Sequence, residues 1–309
     1  MEEARLTPNQ IETLDKILRL GGERPNYSIE SISEIKSILK KTDEYIEKNV
    51  KNILYFAKSD LSNIANCEGL VIAKKEEKVE SSVNIYTIIG SISHKAIMMS
   101  YTHPNKNVTH YVKESIISLR SQDDKINNFF ATCGDARQSE IIGTSISRVT
   151  NFLDDWPKLD PSWNPRFEEG IMAKFGKLSF GGRVDLILGR PRTDMKRSLL
   201  IVDFKSSGIN ENHRNEALYY ALACTIRHNL IPWRSIVYSL SSGEFTELDF
   251  SEEELVKFTY NFADKIEKFV NLIYKEKDAV LSFGDHCNYC YKKDNCIEFK
   301  KNSDPKVAI

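Results

Sequence analysis

A carboxylate set inside an apolar run is the strongest constraint on this chain. Leu199-Leu-Ile-Val-Asp203-Phe-Lys205 reads as a short strand. Side chains alternate across a strand, so Asp203 and Lys205 share one face and Phe204 takes the other. A charge embedded in such a run is costly to bury without a partner, and a metal ion would resolve that cost. The plain alternative is a surface Asp203–Lys205 ion pair, a common event where 28% of residues are charged. Upstream, Gly181-Gly-Arg-Val-Asp185 brings a second carboxylate into another strand pattern. Two hard carboxylate oxygens suit Mg2+ or Mn2+, which polarises a phosphoryl oxygen and acidifies a water. A neighbouring lysine can orient that water or stabilise developing charge.

The surrounding pattern is α/β. Phe167-Glu-Glu, Lys177-Leu-Ser-Phe, Val184-Asp-Leu-Ile-Leu, the run ending at Lys205 and Ser235-Ile-Val-Tyr-Ser-Leu read as strands, and Glu211–Asn229 and Glu252–Lys277 as helices. Thr7–Ala57 reads as charged amphipathic helices, and Ser59-Asp-Leu-Ser62 as the cap of a helix running into Cys67. Glu76–Val83 is polar and expected to be a loop, and Tyr86–Tyr101 returns to a helical pattern. Tyr101–Ser162 mixes helical stretches with the Pro/Asp/Trp-rich segment after Asp154, which suggests an insertion or lid. The expected division is a helical region over 1–60, a main domain over 61–300 with an insertion at 101–162, and a tail over 301–309.

Bulk properties narrow the function classes. The 309 residues, 41% of them hydrophobic, are enough for a substantial core. With 43 basic and 44 acidic residues there is no global basic field, so any nucleic-acid contact must be a local patch. No apolar leader or long apolar span is evident, and the expectation is a cytoplasmic protein with no membrane partner.

Six cysteines are too sparse for a disulfide scaffold, and Cys287-Asn-Tyr-Cys290 with Cys296 forms a Cys-x2-Cys-x5-Cys run of metal-binding character. Four thiolates serve a cubane iron–sulfur cluster or Zn2+ equally. Cys67 and Cys133 are the candidates for a fourth member, while Cys224 reads as a small buried hydrophobe.

The order of Asp185 and Asp203-Phe-Lys205 on successive strands resembles the PD-(D/E)xK nuclease superfamily, and the surrounding residues are similar to its RecB-type branch. The resemblance implies a restriction-endonuclease-like core, a mixed central sheet flanked by helices. It also implies metal-dependent DNA hydrolysis, with Asp185, Asp203 and Lys205 catalytic. Gly90-Ser-Ile-Ser-His94 matches the branch's G-x-x-x-H motif, which makes His94 a metal ligand beside Asp185 and Asp203. Gly143-Thr-Ser-Ile-Ser147 has the same shape without the histidine. The branch's Q-x-x-x-Y helix is represented by Glu216-Ala-Leu-Tyr-Tyr220, or by Asn215 to Tyr219, with the glutamine replaced in either register. Tyr220 and Arg183 are the implied strand contacts, and Tyr219 and Tyr289 could line a threaded strand.

RecB-type nucleases that carry a 4Fe–4S cluster, the CRISPR-adaptation, AddAB and exonuclease V group, hold it with one upstream cysteine and a C-x2-C-x5-C run. The resemblance assigns Cys67, Cys287, Cys290 and Cys296 to it, with Zn2+ as the alternative. The substrate expected is DNA with single strands or free ends, cut as an exonuclease in repair, processing or defence. The competing class is a non-catalytic iron–sulfur DNA-binding or assembly module that partners a helicase or nuclease.

Overall fold

Strand β3 organises the molecule, because different neighbours use the two halves of one of its edges. The chain is described by a computed structural model over residues 6–15, 24–76, 83–191, 194–206, 208 and 212–303. The helices are α1 (Pro8–Thr13), α2 (Ile29–Asn49), α3 (Lys58–Asn66), α4 (Glu68–Glu76), α5 (Ile85–Thr102), α6 (Val108–Gln122), α7 (Asp124–Thr132), α8 (Asp135–Asp155), α9 (Asn212–His228), α10 (Glu252–Tyr274) and α11 (Ile297–Ser303). The strands are β1 (Leu54–Phe56), β2 (Arg166–Phe175), β3 (Leu178–Leu188), β4 (Leu200–Lys205), β5 (Arg234–Ser239) and β6 (Phe245–Leu248), joined in one mixed sheet.

β2 pairs antiparallel with β3 along nearly its whole length. On the other edge of β3, β1 runs parallel at Leu178–Phe180 and β4 antiparallel at Leu186–Leu188. Residues 181–185 therefore lie between two partners. Tyrosine hydroxyls replace the missing ladder there. The Gly181 N–H donates to the Tyr219 hydroxyl at 2.8 Å, and that hydroxyl lies 2.9 Å from the Phe56 carbonyl. Tyr55 donates to the Gly181 carbonyl at 3.0 Å and Tyr220 to the Arg183 carbonyl at 3.0 Å. Gly181 has φ +132°, and a Cβ there would lie 2.0 Å from the Ile171 carbonyl oxygen, so this position requires glycine.

Helices cover both faces of the sheet. Against one face, α2, α9 and α10 bury Ile35, Leu39, Tyr219, Leu255 and Phe262 with Phe56, Phe180 and Ile201. Against the other, α5, α6 and α8 bury Ile92, Val112, Val149 and Phe152 with Leu186, Val202, Phe204 and Tyr238. The alternation along β4 explains the division: Leu200, Val202 and Phe204 enter the second core and Ile201 the first. Among the described residues, no helix is long and apolar enough to cross a membrane.

Four expectations change. The 101–162 region is no lid, because Val149, Phe152 and Trp156 are almost fully buried against the sheet and build one of its two cores. The first 57 residues are not all helical: Leu54–Phe56 is an edge strand of the central sheet. Lys177–Phe180 and Val184–Leu188 are one continuous strand. Helix α3 starts at Lys58, and its free N-terminus is met by Asp60, which accepts from the Ala57 N–H at 3.1 Å. Most of the loop expected over Glu76–Val83, and the tail beyond residue 303, lie outside the described residues.

Candidate active site

The site forms where β3 and β4 part. Their pairing stops at Leu186↔Val202. One position further, Asp185 Oδ2 accepts from the Phe204 N–H at 2.6 Å, taking a donor that the ladder no longer uses. Its other oxygen lies 3.2 Å from His94 Nδ1. His94 comes from α5 on the second-core side and meets the Phe204 ring edge-on at 5.8 Å between centroids. The three helices between His94 and Asp185 in sequence pack beside α5 and over the sheet, so the long separation brings no separation in space.

Glu168 is the residue that motif spacing did not find. The pairs Phe167↔Leu186 and Glu169↔Val184 bracket it, so it stands opposite Asp185 across the β2–β3 ladder. Like charges directly opposite one another destabilise a sheet. Glu168 also has φ +51°, an uncommon conformation for a non-glycine residue. His94, Glu168 and Asp185 each offer a ligand atom within 4.8 Å of the others. An imidazole and two carboxylates that crowd one another fit a hard divalent cation.

Lys205 lies beside them on β4, with Nζ 2.6 Å from Asp203 Oδ2 and 2.7 Å from Glu216 Oε2. Asp203 and Lys205 thus share a face as the alternation requires, while Phe204 is buried on the opposite one. Glu216, in the second turn of α9, also accepts from Lys58 Nζ at 2.9 Å on the same oxygen. Lys58 is the first residue of α3 and sits 5.2 Å from the Tyr220 ring centroid. One carboxylate oxygen of Glu216 thus holds two ammonium groups.

The electrostatics follow from this crowding. Burial pulls the His94 pKa down, but Asp185, by charge and hydrogen bond, together with the charges of Glu168 and Asp203 outweighs it, leaving His94 above its ordinary value. Burial raises the Asp203 pKa; Lys205 opposes this and Asp185 adds to it, and the net is upward. Glu168 is raised by burial and by Asp185. Burial alone would lower Lys205, but Asp203 and Glu216 raise it above the ordinary lysine value. Glu216 is lowered, because Lys205 and Lys58 overcome the effect of its burial.

The expected set is therefore mostly brought together, with one shift of role: Glu168, rather than Asp203, completes the group closest to His94 and Asp185. Tyr220 is a correction. It is 6% exposed and its hydroxyl holds the Arg183 carbonyl, so it braces β3 and does not face a strand. Tyr219 is fully buried and braces Gly181 in the same way. The Arg183 side chain is largely exposed, 3.8 Å from Glu168, and remains available to a ligand.

The cysteines gather at the other end of α3. Cys67 caps its C-terminus, and Cys67, Cys287, Cys290 and Cys296 line one cavity of about 520 Å3. Ser282 joins the two sides: its N–H approaches Cys67 Sγ at 3.5 Å, and its carbonyl lies 3.9 Å from Cys287 Sγ. Cys133 packs against the second core instead. Cys224 is wholly buried in α9, and burial pushes its thiol up to about 12. The donor set and the cavity both fit a bound metal centre.

A central mixed sheet with helices on both faces, and carboxylates and a lysine at the parting of two adjacent strands, is the architecture of a metal-dependent nuclease. The chain matches the PD-(D/E)XK nuclease superfamily over residues 56–296 and belongs to it. Enzymes of this superfamily generally use divalent metals such as Mg2+. Comparison with curated proteins returns no match to the chain.

Proposed function

We propose that the protein is a RecB-type, metal-dependent deoxyribonuclease that cuts DNA from single-stranded or free ends, with a 4Fe–4S cluster on its four gathered cysteines. The observation that carries the catalytic reading is the convergence of His94, Glu168 and Asp185 on one point beside the Asp203–Lys205–Glu216 chain. When bound there, Mg2+ or Mn2+ supplies Lewis acidity toward a phosphoryl oxygen and acidifies a water. His94, Glu168 and Asp185 would hold the ion, with Asp203 alongside. Lys205 has three N–H donors, two of them directed at Asp203 and Glu216. The third is left to orient the attacking water or the phosphate. Lys58, on the same Glu216 oxygen, adds a second positive charge near the strand backbone, and exposed Arg183 adds a third.

Four thiolates around one cavity suit a cubane cluster or Zn2+, and the resemblance to cluster-bearing RecB-type nucleases favours the cluster. A bound centre there would tie the C-terminal segment to α3 and contribute folding energy.

Anaerobically purified protein is expected to be brown, to contain iron and sulfide, and to cut linear single strands with Mg2+ or Mn2+. Stoichiometric zinc without iron would sink the cluster. Efficient cleavage of covalently closed single-stranded circles would remove the requirement for an end. No metal-dependent cleavage of any DNA would leave the assembly-module reading in its place.

A further inference from the structure

Two adjoining clefts flank α3. One, of about 260 Å3, opens beside Glu216, the carboxylate that holds Lys205, and is walled by Ser62, Asn66, His213, Asn215, Asn261 and Lys265. The other, of about 630 Å3, runs between the helices α3 and α4 and the cysteine segment, with Asn63, Asn66, Lys74, His286, Tyr289 and Tyr291 on its walls. Asn66 borders both. The two clefts therefore meet at the last turn of α3 and together trace a track from Glu216, the partner of Lys205, to the cysteine segment.

The lining carries amides, imidazoles, ammonium groups and phenols beside the carboxylates of Glu216 and Asp285 and a few apolar side chains. Amide and imidazole groups meet base edges as donor or acceptor, and every base offers a face on which an aromatic ring can stack. Tyr289 is 91% exposed and Tyr291 45% exposed, so the fold leaves two rings uncovered two residues apart. Lys74 and Lys265 supply positive charge along the route. Cavities of this size accept small-molecule-sized groups, which suits the nucleotides of one strand. We infer that single-stranded nucleic acid occupies this track, its bases stacked on Tyr289 and Tyr291 and its end delivered to Lys205; this rests on the nuclease reading of the catalytic site.

The test is fluorescence anisotropy on the full chain with its metal centre, without added Mg2+ or Mn2+, using labelled oligothymidylates of about 4 and about 16 nucleotides. The longer strand is expected to bind more tightly, Tyr289→Ala to weaken it by about tenfold, and Tyr289→Trp to restore it. Tyr86→Ala, at an exposed tyrosine outside the track, is the control. Equal affinities for the long strand in the unmodified protein and Tyr289→Ala would overturn the track. A Tyr289 effect on binding in a protein that cuts no DNA would uphold the track and defeat the nuclease reading. Cleavage with no Tyr289 effect would do the reverse.

Discussion

At the end of β4 the fold supplies a partner for each charged side chain. Asp185 takes the Phe204 N–H and His94, Asp203 takes Lys205, and Glu216 takes Lys205 and Lys58. At the C-terminal segment, Cys67 and Cys287 meet mainly one residue, Ser282. The segment itself is two short 3-10 turns followed by α11. The first site is built by the sheet before any ion arrives. At the second, the proposed metal centre would close the segment, and its binding energy would become folding energy.

The largest effect should come from the preorganised site. Lys205→Ala or Asp203→Ala is expected to reduce metal-dependent cleavage by at least about 10^2- to 10^3-fold, as loss of a group aimed at developing charge does. Iron content, measured on the same preparations, should stay intact. Loss of iron in these variants would show that the two sites do not form independently and would break the comparison.

Cys290→Ser attacks the other side. It is expected to lose iron, to expose the segment from residue 275 to 296 to proteolysis, and to lower the melting temperature by roughly 2–4 °C per kcal/mol of lost binding energy. An unchanged melting curve in an iron-free variant would mean that the segment closes without metal.

A smaller change is expected from Tyr219→Phe, which removes the hydroxyl that the Gly181 N–H and the Phe56 carbonyl share. Leaving buried backbone groups unpaired costs about 1–3 kcal/mol, to be read in denaturant unfolding. Because β3 carries Asp185, cleavage should fall with it, while iron should not. The smallest effect belongs to Cys224→Ala, expected to keep full iron and to cost no more than about 1.5 kcal/mol. In the native protein Cys224 should resist alkylation, since its buried thiol stays protonated.

What the sequence reveals of this site depends on how local the signal is. Asp203, Phe204 and Lys205 were readable because strand alternation decides their faces, and α9 and α10 because their apolar spacing runs for several turns. In the sequence Glu168 is only part of the strand stretch Phe167-Glu-Glu. Its position opposite Asp185 depends on the β2–β3 register, which neither strand states alone. Lys58 reaches Glu216 across 158 positions, and nothing in its neighbourhood marks it. β1, at three residues, is too short to show a period. α8 did carry helical spacing through Ile141, Val149 and Phe152, but the Pro- and Asp-rich segment after it suggested a loose excursion and hid its place in the core.

Helix α3 has a consequence for anyone who alters either end of the molecule. Its first residue is Lys58, held at Glu216, and its C-terminal cap is Cys67, one wall of the cysteine cavity. Nine helical residues make a rod of about 13 Å that bends little. Chemistry at the cysteines is thereby mechanical news at the lysine: a tilt of the rod where it is clamped moves its free end off Glu216. The traffic is uneven. On the proposed reading a lost ammonium would leave the clamp standing, whereas a lost clamp would unseat the ammonium, so diminished cutting in a cysteine variant would report a displaced lever and not a thiol that takes part in hydrolysis.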